Sequence, residues 1–145
     1  MKKVFAVNNT STAASYALLA ARLGISVLML THGIPKLFML FSGGPIQFPG
    51  IMGLSSTASL GLAVFAEVFC SLLILTGFAT RLAVIPLIIT MLTAVTVIHA
   101  ADPIAVKEPA LLYTLAYVVL LIAGSGKFSL DNLLFHKKEL ARTRS

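Results

Sequence analysis

The sequence predicts an all-α protein: a four-helix transmembrane bundle with both termini in the cytoplasm. Three observations predict it. Of the 145 residues, 58% are hydrophobic and only 11% are charged, and mean hydropathy is +0.98. Soluble domains average about 25% charged residues, so this chain has too little polar surface to coat a water-soluble globule. Four apolar stretches approach the roughly 20 residues that a helix needs to cross a bilayer. The lysines and arginines are also shared unevenly between the links that join these stretches. At this size the whole chain, 1–145, reads as one integral-membrane domain.

The first element, Met1–Ser15, begins with Lys2 and Lys3 and runs on through the polar NNTST. Its apolar piece, Val4–Val7, is far too short for a signal-peptide core. A short cytoplasmic tail is expected, with Thr10, Ser11 or Thr12 capping the first helix. The first span, about 14–38, has no acid but carries Arg22, His32 and Lys36. Pro35 disfavours helix at Ile34, so a kink or loosening is expected there. Arg22, Ser26, Met29, Gly33 and Lys36 recur at helical spacing and define one stripe. Arg22 has two readings: snorkelling to headgroups, or pairing with a buried partner such as Glu67.

Residues 42–58 hold two prolines and four glycines and no charge. This loop is apolar enough, through Ile46, Phe48, Ile51 and Met52, to lie on the bilayer or to fold back as a lid. The second span, 59–77, is apolar almost throughout, with Glu67 in its middle. A carboxylate at that depth costs about 3 kcal/mol or more, so it is expected to face other helices. Its helical neighbours Ala63, Val64, Cys70 and Ser71 suit such a contact. Gly77 suits a helix C-terminus.

The third span, 82–101, has no charge and ends near His99. Pro86 falls early in it, where it does least harm, and its threonines can bond their own backbone. The fourth span, 109–125, opens on Pro109, well placed in a first turn, and sets Tyr113 and Tyr117 on one face. After Gly124–Gly126, GKFSLDNLLF is expected to lie along the interface, within a basic cytoplasmic tail, 127–145. Eight of the eleven Lys/Arg (2, 3, 81, 127, 137, 138, 142 and 144) fall on the terminal side, and Lys36 and Lys107 on the other. By the positive-inside rule both termini face the cytoplasm.

That topology carries the ionisable groups toward one outward mouth. Glu67 lies near mid-membrane; His32, Lys36, His99 and Glu108 lie toward the outer surface. Glu67, His99 and Glu108 are the candidate catalytic groups. Arg22, His32, Lys36 and Tyr117 are the candidate substrate contacts. Such a set can handle the protons that accompany quinone reduction, or it can simply fasten the helices as an ion-pair cluster. Two histidines on different spans could ligate haem in principle, but no spacing motif supports haem or another metal. Cys70 is the sole cysteine, so no intrachain disulfide or CxxC chemistry is expected, and it reads as a packing residue. The net charge of +6 is segregated to tails and loops, which speaks against nucleic acid as a partner.

In order along the chain stand an arginine early in the first span, HGIPK, a glutamate in the second span, TGFATR, a histidine closing the third, a glutamate opening the fourth, and GSGKFSLD. This order, from about Arg22 to Asp131, resembles the DoxX family of small four-span bacterial membrane proteins. The resemblance implies a multi-pass protein of the bacterial inner (plasma) membrane. It also implies that Arg22, Lys36, Glu67, Arg81, His99 and Glu108 form the family's polar set. The family takes its name from a subunit of thiosulfate:quinone oxidoreductase, so the expected function is a membrane subunit of a quinone-linked oxidoreductase system, with quinone as the cofactor left open. The alternative is a non-enzymatic anchor that recruits a soluble oxidoreductase or stress-response partner. A permeation path needs more room than four short spans leave, unless the chain forms a homo-oligomer.

Overall fold

The computed structural model describes residues 11–134. Lys2, Lys3, Lys137, Lys138, Arg142 and Arg144, on which the orientation argument partly rests, therefore lie outside the described residues, as does His136. Among the described residues four helices are long and apolar enough to cross a membrane: α1 (Thr12–Phe41), α2 (Ser56–Thr76), α3 (Thr80–Ile98) and α4 (Ile104–Ala123). No strand occurs among the described residues. The links 42–55 and 99–103 lie at one end of the bundle, called here the loop end. The α2–α3 turn and both described termini lie at the other, the terminal end.

Each helix starts and stops for local reasons. Ser11 caps α1, its side chain accepting from the Ala14 amide. The buried stripe Ser15, Leu18, Arg22, Ser26, Met29 and Gly33 extends the predicted one toward the terminus. Pro35 does not end α1, which runs on as helix for another turn and a half to Phe41. One missing N–H removes a single intrahelical bond, and the helix continues beyond it. Ser55 caps α2 through the Ala58 amide, and Gly77, at φ +72°, closes it in a left-handed turn. The fourth helix begins five residues earlier than predicted, after Pro103, so Pro109 lies inside it rather than at its start.

In a bilayer the apolar effect does not drive helices together; close packing of small residues does. Gly33 shows this. A Cβ at that position would lie 3.0 Å from the Glu67 Cβ and 2.9 Å from a methyl of Val68. Glycine thus lets the α1 and α2 backbones touch at the level of Glu67. The most buried helix is α2, and its Ala66, Cys70 and Ile74 join Met29, Leu87, Met91, Tyr117 and Leu120 in the core.

The terminal end is closed by the segment after α4. It does not merely lie along an interface as predicted. It folds back under the bundle. The Asp131 carboxylate, 3% exposed, accepts from the Ala79 amide at 2.9 Å, and the Asp131 amide donates to the Gly77 carbonyl at 3.1 Å. This holds Ala79, a non-glycine residue at φ +50°, in a conformation that costs about 1 kcal/mol or more without support. Arg81 donates to the Ile122 carbonyl at the C-terminus of α4, where a cation also suits the helix dipole.

Candidate functional site

Glu67 sits in a π-helical turn, Phe65–Cys70, inside α2. Such a turn widens the helix by one residue and re-aims its side chains, and it recurs at functional positions. Nothing in the residue pattern announced it. Gly33 brings α1 close enough that Lys36, one turn further on, reaches across. The Lys36 ammonium donates to Glu67 Oε1 at 2.5 Å. The acid side chain is 2% exposed and the lysine side chain 30% exposed. The buried charge is thus answered from the adjacent helix, as the cost of an isolated carboxylate in hydrocarbon demands. The base comes from the lysine of HGIPK, not from Arg22.

The ion pair lies at the base of a cavity of about 590 Å³ toward the loop end, within the range of small-molecule sites. His32 and Met29 line it from α1, Ala63 from α2, Thr90 and Ala94 from α3, and Tyr113 from α4. His32 and Tyr113 meet edge to face at 5.9 Å between centroids. A second π-helical turn, Ala94–Ile98, ends α3 and delivers His99 to the cavity wall. His99 Nδ1 lies 2.7 Å from an Asp102 carboxylate oxygen.

The loop over which two readings stood open folds back. Phe48, Pro49, Ile51, Met52 and Leu54 line the cavity, so the segment is a roof. Its Ile51 amide donates to the Ser59 hydroxyl at 3.0 Å. The Phe48 ring lies 5.9 Å from the Lys36 ammonium, within reach of a cation–π attraction.

The structure brings together Glu67, Lys36, His32 and His99 of the sequence-predicted site. It sets three candidates elsewhere. Arg22 lies at the terminal end, where its guanidinium donates to the Phe128 carbonyl at 2.6 Å and packs on Gly77. It is 1% exposed, so it does not snorkel, and Glu67 is not its partner. Glu108 is exposed and does not line the cavity, although the neighbouring Pro109 does. Tyr117 is fully buried in the core, stacked one turn from Tyr113 at 6.2 Å. The phenol in the cavity is that of Tyr113; the sequence reading chose Tyr117 instead, since one-turn spacing sets both on the same face.

The acid of the ion pair is not saturated. Glu67 Oε2 is buried without a hydrogen-bond partner, and the Tyr117 and Ser71 hydroxyls lie within hydrogen-bonding reach of each other. Buried polar groups normally have a partner, so Glu67 Oε2 retains capacity to accept a further hydrogen bond. Among the described residues no group of three or more His, Cys, Asp or Glu could hold a metal ion.

The sequence profile of the DoxX family matches residues 17–100. That range contains His32, Lys36, Glu67 and His99 and stops short of α4. An uncharacterized protein of Haemophilus influenzae is 32% identical over 138 residues, covering 90% of this chain and all of its own. An uncharacterized membrane protein of Mycobacterium tuberculosis is 30% identical over 132 residues, covering 81% of each. No solved structure matches. A profile over more than half of the chain, joined to four apolar helices of spanning length, supports one conclusion: this is a membrane protein of the DoxX family.

Proposed function

We propose that the chain is the membrane subunit of a quinone-linked oxidoreductase system, and that the roofed cavity over Lys36 and Glu67 holds the quinone ring. The observation that carries this reading is the Lys36–Glu67 ion pair at the base of a mostly apolar pocket. A ligand that fits it has a polar head and an apolar body. Lys36 retains ammonium donors beyond the one given to Glu67 and can donate to a ring carbonyl. Glu67 accepts a proton in its carboxylate form and releases one in its acid form. The bound quinone would supply the electron-accepting chemistry; the side chains orient it and hold or yield protons. His32 and His99 line the cavity toward the loop end, where they can pass protons to water. The lysine and arginine count supports an orientation with the loop end outward and the termini in the cytoplasm of a bacterial inner membrane.

The test is extraction of the purified protein into organic solvent, with an absorption spectrum before extraction. Quinone in the extract at near-stoichiometric amount supports the proposal. An extract without quinone, together with a co-purifying soluble protein, favours the anchor reading instead.

A further inference from the structure

Several exposed residues line the cavity, Ile98 and Val106 at its loop end among them, and two, Leu62 and Ile89, also belong to the apolar outer stripes of α2 and α3. On α2 the exposed Leu62, Phe65, Phe69 and Leu72 recur at helical spacing, and on α3 Leu82, Ile85, Ile89 and Leu92 do the same. These stripes are the faces that the bundle turns to hydrocarbon. Leu62 and Ile89, each 59% exposed, also line the cavity that reaches buried Glu67. A side chain can do both only where cavity and lipid meet. The packing agrees. Phe65–Cys70 and Ser71–Thr76 pack on α3, whereas Ser56–Val64, the loop-end part of α2, packs on α1 and makes little contact with α3. At the loop end the roof segment 48–54 covers the same cavity.

We infer that the cavity opens sideways into the bilayer, between Leu62 of α2 and Ile89 of α3. Its occupant is a membrane-resident amphipath whose head sits by Lys36 and Glu67 and whose alkyl tail leaves through this gap. The inference rests on the reading of the cavity as a head-group site and adds the route and the tail.

The protein in phosphatidylcholine vesicles is titrated with two probes: a benzoquinone bearing a long alkyl tail, and the same ring with a methyl group in its place. Concentrations are referred to the membrane phase. Both probes are expected to bind the wild type. Leu62→Trp combined with Ile89→Trp fills the gap, and should weaken the tailed probe roughly tenfold or more, a clearly larger loss than that of the methyl probe. Equal losses for both probes, or no loss for the tailed one, overturn the portal while leaving the cavity reading in place. Binding of neither probe to the wild type overturns both. Should the double variant not fold, a tailed probe with a photoreactive group on the first tail carbons is used on the wild type. Labelling at Leu62, Ile89 or Thr93 supports the portal, and labelling confined to 48–54 overturns it.

Discussion

Removing both partners of the Lys36–Glu67 pair should cost clearly less than the sum of removing each alone. With charge centres about 4 Å apart and an effective dielectric near 20, the attraction is about 4 kcal/mol. Part of that offsets desolvation of a carboxylate that is 2% exposed, and the lysine, 30% exposed, is partly screened. Lys36→Met leaves Glu67 with neither oxygen bonded, because Oε2 already lacks a partner. The expected loss is about 2–4 kcal/mol. Glu67→Gln keeps the shape and removes the charge, and should cost about 1–3 kcal/mol. The double variant should cost clearly less than the sum, with a coupling of about 1–3 kcal/mol. The assay is equilibrium unfolding of purified protein in mixed micelles, followed by helical circular dichroism. Additivity within about 0.5 kcal/mol would refute the reasoning, since the two groups would then not be answering each other.

Three further outcomes follow from the packing. Gly33→Ala inserts a methyl against the α2 backbone and should destabilise by about 1–3 kcal/mol, measured by the same unfolding assay. Gly77→Ala should be worse than an ordinary left-handed-turn substitution, because the new Cβ would meet the Arg22 guanidinium; a midpoint unchanged from wild type would contradict this. Cys70, 2% exposed in the core, should resist a bulky maleimide in the folded protein and react after unfolding, as read by mass spectrometry.

The four spans were legible because hydrophobic length needs no tertiary information. The α1 stripe was legible for the same reason: periodicity places Arg22, Ser26, Met29, Gly33 and Lys36 on one face whatever they pack against. A buried acid likewise demands an answering group, but the demand does not say which cation answers. Arg22 and Lys36 share that stripe, and only the antiparallel register of α1 and α2, set by Gly33 against Glu67 and Gly77 against Arg22, decides it. The two π-helical turns left no mark in composition, because they depend on which backbone bonds tertiary packing favours. The roof was undecidable for a similar reason. An uncharged, glycine-rich loop with Phe48 and Ile51 suits a bilayer surface and an apolar pocket equally, and the contacts with Ser59 and Lys36 make the choice. Asp131 was passed over within a segment read as interfacial, though an acid three residues from Phe128 in GSGKFSLD was a signal that the segment had a polar task at the bundle's end.

The most direct test of the whole scheme is a binding titration of a tailed benzoquinone with vesicle-reconstituted wild type and Glu67→Gln, compared at matched folding. The scheme predicts an apparent affinity lower by roughly tenfold or more in the variant, because Lys36 loses the charge that aims its ammonium at the ring carbonyl. Equal affinities in two equally folded samples would contradict it.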